Sequence, residues 1–314
     1  MEETHKHNNP LSFDDGIDLL ELFHILLNGK WIIISVTAFA SIIGVIYSLN
    51  LPNIYESRAL LTPANSSGSI SNALRGYSGI TGIAGLSLPI DGDKNNSKKA
   101  IAKISSLSFF ENEILPNIFI QDLLALKSWN PKTNSLIYDD SIFIKSSNTW
   151  IRDSSNAQKK IPTPQESFRA FKSHLSISED NNTGFVTISI KHESPYIAKE
   201  WVELLVGEIN SFYRQKDKIK SEKALSYLNQ KIASTNLSEI KQSIADLLKQ
   251  ETQKLTLIEA NEFYVFDYID SPAVMEKKSQ PNRARICILF FLMGGMLSVL
   301  ILLIKHFFFK EKFA

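Results

Sequence analysis

The chain holds one cysteine, Cys287, in 314 residues, which excludes disulfides within it and zinc sites of the cysteine-rich kind. None of its six histidines (His5, His7, His24, His174, His192, His306) stands in an HExxH or other metal-ligand spacing. There is no GxSxG, no SxxK and no phosphate-gripping glycine loop ending in Gly-Lys-Ser/Thr. Lys and Arg number 34 against 33 Asp and Glu, so the basic excess that marks nucleic-acid binding is missing. These absences lead us to expect no catalytic site, no metal, no cofactor and no nucleic-acid partner. Asp139-Asp140 and Glu179-Asp180 are adjacent carboxylates, but both lie beside turn residues and read as solvated turns rather than an acid/base pair. His174 and His192 fall on two neighbouring strands and read as a solvated cross-strand pair.

What the chain does have is two long uncharged runs. Residues 31–49 (WIIISVTAFASIIGVIYSL) and 286–304 (ICILFFLMGGMLSVLILLI) carry no charge from end to end. At about 1.5 Å per helical residue, each crosses a hydrocarbon core of about 30 Å. A buried core helix of that length keeps a polar face, and a signal peptide has a shorter apolar run with a small-residue cleavage site. NLPNIYESR, after the first run, offers no such site. The expected organisation is a cytoplasmic segment 1–30, a first span 31–49, an exported domain 50–285, a second span 286–304 and a cytoplasmic tail 305–314. Both tails are too short for an enzyme or an output domain. Basic residues stand on both sides of the second span (Lys277, Lys278, Arg283 and Arg285 before it, Lys305, Lys310 and Lys312 after it), so charge alone leaves orientation open. The exported middle is adopted because a large domain between two anchors is usually the exported part.

Leu19, Leu22, Phe23 and Leu26 recur at helical spacing and fit either an amphipathic surface helix or an extension of the first span. Tyr55 to Pro63 reads as a strand. From Asn65 to Gly92, six glycines (Gly68, Gly76, Gly79, Gly82, Gly85, Gly92) argue against regular structure, leaving a mobile or a contacting loop. Lys98 to Ile114 reads as one helix, 128–163 as loops with a weak strand at Ile142 to Ile144, and Pro164 to Phe171 as a short helix capped by Thr163. His174 to Ser178 and Phe185 to His192 alternate with period two around DNNTG, a hairpin. From Ser194-Pro195 to Ser234 only Gly207 could interrupt a helix, which predicts a rod of about 60 Å with Ala198, Val202, Leu205, Ile209 and Phe212 on one stripe. After Thr235-Asn236, Ile240, Ile244, Leu247, Leu255 and Ile258 mark a second helix that packs back along the first. Phe263 to Ile269 is then a returning strand that shares a sheet with Tyr55 to Pro63. The fold class is two transmembrane helices flanking an α+β extracytoplasmic domain with a long protruding helical hairpin.

Candidate contacts between copies follow from two features. Arg214 to Lys223 has Ile219 as its single apolar residue, so Lys216, Lys218 and Lys220 are candidate oligomer contacts or simply a solvated face. Ala40, Gly44 and Ser48 in the first span, with Gly294 and Ser298 in the second, form small-residue ridges that allow close helix packing in lipid.

Three stretches stand out: IDLLELFHILLNGKWIII, the YESRALLTP strand, and FYVFDYIDSPAVMEKKSQPNRARICILFFLMGG, where Pro272, Pro281, Arg283, Gly294 and Gly295 stand in a proline-containing basic connector and a glycine-bearing span. In these the two ends of the chain resemble the Wzz-type polysaccharide co-polymerases. The connector has fewer prolines than is usual in that family. The resemblance implies an inner-membrane protein with a periplasmic domain, forming ring-like homo-oligomers without an active site. It implies control of O-antigen chain length in concert with the membrane polymerase, with the growing lipid-linked polysaccharide as a further candidate partner. Two alternatives stay open: a two-span receptor with a periplasmic ligand-binding domain, and a capsule or exopolysaccharide export component of the same superfamily.

Overall fold

The computed structural model describes residues 26–64, 93–151 and 161–310. Its chain falls into two compact units, one drawn from the residues up to Leu51 and from Pro281 onward, the other from Pro52 to Gln280. The expectations for Leu19 to Phe23 and for the glycine-rich stretch 65–92 lie outside the described residues.

The first unit is built on α1 (Lys30–Asn50) and α8 (Arg283–Lys310), both long and apolar enough to cross a membrane by length and composition. α1 stops where Leu51 turns extended, as expected of a residue that precedes a proline. α8 starts behind Asn282, whose side-chain oxygen accepts the Arg285 backbone N–H at 3.3 Å. The two helices pack along most of their length. Thr37, Gly44 and Ser48 of one and Gly294, Ser298 and Leu302 of the other are the buried positions, at the four-residue spacing of a helix ridge.

The second unit is α+β. In chain order it contains β1 (Tyr55–Pro63), α2 (Asp93–Ile104), α3 (Leu107–Phe109), α4 (Ile120–Leu124), β2 (Leu126–Asn130), β3 (Ser135–Tyr138), β4 (Phe143–Ile144) and β5 (Thr149–Trp150). These are followed by α5 (Pro164–His174), β6 (Leu175–Glu179), β7 (Val186–His192), α6 (Pro195–Ser234), α7 (Ser238–Ala260) and β8 (Phe266–Asp270). The main sheet runs β6-β7-β1-β8, every neighbour antiparallel. β1 is therefore interior, paired with β7 from Tyr55↔His192 to Leu61↔Val186 and with β8 from Leu61↔Tyr268 to Pro63↔Phe266. The expectation that the first and last strands share one sheet holds.

The sheet's inner face meets the first half of α6. Ala59 and Leu61 of β1 and Val186, Ile188 and Ile190 of β7 form one core with Trp201, Val202, Leu205 and Ile209. Phe109, Phe110, Ile114 and Phe171 close it from the side. Burying each such side chain is worth about 1.5–3 kcal/mol, so the α6 stripe read from the sequence is the spine of this unit.

Three expectations need correction. The predicted helix from Lys98 to Ile114 breaks at Ser105-Ser106, because the Ser106 hydroxyl caps a new turn by accepting the Phe109 N–H at 3.3 Å. Residues 110–114 then wind as a π-helical turn that brings Phe110 and Ile114 into the core. The described part of 128–163 holds the strand expected at Ile142 to Ile144, as β4, but it also holds strands that were not expected. β2 and β3 form a hairpin whose Trp129 Nε1–H donates to Asn134 Oδ1 at 2.8 Å, and β4 pairs with β5. Asn134 and Asn148 take positive φ (47° and 50°) at the two turns, a conformation asparagine tolerates better than most residues. Finally, the returning strand begins at Phe266 rather than Phe263, for a reason found in α6.

Candidate functional site

Asn210 is a polar residue on the buried stripe of α6, 4% exposed. Its Oδ1 accepts the backbone N–H groups of Val265 at 2.7 Å and Phe266 at 2.9 Å, and its Nδ2 donates to the Phe266 carbonyl at 2.9 Å. One side chain thus takes up the backbone groups of the approach to β8 and holds the last strand against the helix. About two turns further along α6, the Tyr264 hydroxyl donates to Asp217 at 2.7 Å. Burial, and that hydrogen bond to a carboxylate, push the Tyr264 phenol well above its ordinary range. Neither pair was singled out from the sequence. The signal that could have found Asn210 is its place as the lone amide in the stripe Val202–Leu205–Ile209.

The strand ends of this unit meet at one edge. The Ile54 N–H donates to Gln280 O at 2.9 Å, Ser57 Oγ donates to Ala273 O at 2.9 Å, and Lys278 Nζ reaches Asn53 Oδ1 at 3.1 Å. Of the connector residues singled out from the sequence, Pro272 is buried in this edge, Pro281 follows it, and Arg283 opens α8. The chain thus leaves the unit at a point beside the one where it came in.

His174 and His192 do lie together, their ring centroids 5.8 Å apart, but not as a solvated pair. His192 is 1% exposed beside Trp201. Its Nδ1 accepts the Ser194 N–H at 3.1 Å, which leaves Nε2–H to donate to the Asp122 carbonyl at 3.1 Å. Burial lowers its pKa to about 4, so the ring is a neutral strut tying β7 to α4. The correction arises because β7 is an interior strand, buried on the face that His192 occupies. Asp139 and Asp180 accept hydrogen bonds from Ser141 and from Asn182 and Thr183, and these bonds lower their pKa values as expected of closed turns. No group of His, Cys, Asp and Glu among the described residues gathers as a metal site would require.

The helical hairpin is where apolar surface stays open. α7 returns along the second half of α6, burying Ile244 and Ile258, while Tyr227, Ile240 and Leu247 remain exposed (58%, 46% and 49%). Of the three lysines singled out, Lys218 finds its partner inside the chain: Nζ lies 2.8 Å from Glu259 Oε1 of α7. The sequence pattern counted α6 charges without seeing that α7 supplies a carboxylate 41 residues away. Lys216 packs over Tyr213 at 5.6 Å, and Lys216 and Lys220 are exposed.

The small-residue ridges of the spans face each other within one chain. A Cβ on Gly294 would stand 2.6 Å from that of Ala40, and one on Gly44 would stand 2.6 Å from the Cβ of Phe290. Ser48 and Ser298 are buried at the same contact. The ridges are thus taken up by their own partner helix, a use that the spacing could not distinguish from a contact between copies.

Residues 15–112 match a family model described as "Wzz: Chain length determinant protein". No curated protein matches the chain. Among solved structures, a full-length bacterial polysaccharide co-polymerase aligns at 16% identity and a TM-score of 0.42, over 93% of this chain and 99% of its own. A fragment of WzzB, the polysaccharide co-polymerase from Salmonella Typhimurium, aligns at 13% identity and a TM-score of 0.31, over 73% of this chain and 100% of its own. The family that the two ends of the chain resemble is thus the family matched by residues 15–112, the Wzz chain length determinants.

Proposed function

We propose that this protein regulates the chain length of a surface polysaccharide, O-antigen or a related polymer, as a non-catalytic homo-oligomeric scaffold. The observation that carries the reading is the match of residues 15–112, which takes in the first span and β1, to the chain length determinant family. Two features agree with it. Two membrane-length helices bracket a single α+β unit, and that unit carries a helical hairpin with apolar residues left open to solvent. In this reading the protein sits in the bacterial inner membrane with Pro52 to Gln280 in the periplasm and works beside the membrane polymerase. Copies gather through the exposed hairpin surface, with Lys216 and Lys220 among the contacts.

Length control needs no reacting group from this chain. It needs a surface that holds polymerase or polymer in place for a time set by the assembly, so the regulator acts by binding rather than by bond making. Deleting the gene and separating lipopolysaccharide by gel tests this directly. The expected result is loss of the modal band cluster, restored by the plasmid-borne gene; an unchanged ladder refutes the proposal.

A further inference from the structure

The second unit has a cleft that none of these features uses. It lies between the start of α4 and the β4–β5 ribbon and has a volume of about 430 Å³, within the roughly 300–1,000 Å³ usual for ligand sites. Phe119 and Trp150 supply two aromatic rings to its wall, with Ile118 and Ile161 beside them. Phe119 is 69% exposed, a large cost in open apolar surface for a residue placed at a helix start. Trp150 is held from behind by the buried Phe143 ring, 5.1 Å away centroid to centroid. β4 and β5 are further tied by the Ile151 N–H donating to the Ile142 carbonyl at 2.8 Å. The Trp150 side of the cleft is therefore fixed in advance.

Among the described residues, the polar part of the wall is neutral. Gln121, Asn148 and Thr149 bring two carboxamides and a hydroxyl, and no Lys, Arg, Asp or Glu is among the described lining residues. A phosphate, a nucleotide or a metal ion would find no opposite charge among these described lining residues. A purely apolar partner would strand the amides without hydrogen bonds. A polyhydroxylated ring meets both demands, since its C–H face lies on an aromatic ring and its hydroxyl edge reaches amide donors and acceptors. We infer that this cleft is a saccharide-binding subsite, with Phe119 and Trp150 as stacking platforms and Gln121 and Asn148 as hydrogen-bonding arms. That the saccharide is a stretch of the surface polysaccharide rests on the chain-length reading; the lining chemistry does not.

The test uses the full-length protein in lipid nanodiscs and, as probe, the lipid-free surface polysaccharide released by mild acid from the producing cells. Saturation-transfer NMR should show binding to the wild-type chain. Phe119→Ala should weaken it roughly fivefold, as loss of one ring contact does, with the melting temperature unchanged because the ring is exposed. Gln121→Ala is the second variant and should weaken it as well. No saturation transfer to the wild type, or equal binding by wild type and both variants, overturns the subsite. The deletion ladder separates the two claims. A changed ladder with no loss of binding in the variants removes the cleft and keeps the length reading. Binding lost in the variants with an unchanged ladder keeps the cleft and removes the length reading.

Discussion

Asn210 and His192 show how single polar side chains in the core make the α+β unit specific. Each is satisfied on both its donor and its acceptor, so replacing either leaves backbone groups buried without partners. Asn210→Ala should destabilise the unit by about 2–4 kcal/mol and lower the melting temperature of the full chain in detergent by several degrees. Asn210→Asp sets a buried carboxylate against the Phe266 carbonyl, so at neutral pH it should destabilise at least as much as alanine does. For His192 the prediction concerns pH. Burial first, and His174 nearby second, depress its pKa to about 4, against 6.5 in the unfolded chain. The folded state therefore refuses a proton that the unfolded state accepts. The associated stability is complete above about pH 6.5 and drains away as pH falls towards 4, amounting to about 3 kcal/mol over that window. Urea unfolding at a series of pH values should show that slope, and His192→Gln, less stable at neutral pH, should show a flatter one.

At the scale of elements, the contact between α1 and α8 makes a prediction that separates two uses of the same residues. With Cys287→Ser as background, Ala40→Cys and Gly294→Cys in one chain should cross-link within that chain once the helices part by about an ångström, since the two Cβ positions stand 2.6 Å apart against about 3.8 Å in a disulfide. Mixing the two single-cysteine chains should give little cross-linked dimer on a denaturing gel. Abundant dimer from the mixture would assign the ridges to contacts between copies. The hairpin of α6 and α7 makes a second prediction. The Lys218–Glu259 pair lies at the solvent-exposed surface, so breaking it with Lys218→Gln should leave the melting temperature almost unchanged. The stripe of Val202, Leu205 and Ile209 behaves differently, because each of these residues is buried in the shared core. Leu205→Ala should cost about 2–5 kcal/mol by leaving a cavity.

For the whole molecule, the open question is what covers Tyr227, Ile240 and Leu247. If copies gather through the hairpin, Tyr227→Glu combined with Leu247→Glu should lower the mass of the detergent-solubilised assembly by mass photometry. Lys218→Glu, whose partner lies in its own chain, should leave that mass unchanged. An unaltered mass in the double variant would place the interface elsewhere.

Read residue by residue, the chain already contained its spans, β1, the hairpin of β6 and β7, and α6 from Pro195 to Ser234. These elements rest on local physics: uncharged length, two-residue alternation, a proline at a helix start and the absence of breakers. Of the short strands, β4 was legible as a weak strand at Ile142 to Ile144, but β2, β3 and β5 were not, since strands of two to five residues gain their stability from a partner and not from their own periodicity. Nor could the sequence decide which helix faces Gly44 and Gly294, which carboxylate meets Lys218, or that His192 is sealed while His174 beside it is not. Those outcomes depend on groups far apart in the chain reaching within a few ångströms, and the spacing of residues along a sequence carries no record of that distance. Local pattern determined the parts and the two-span layout; only the tertiary structure decided which polar groups are satisfied inside and which apolar surfaces, on the hairpin and at Phe119, are left for something else to cover.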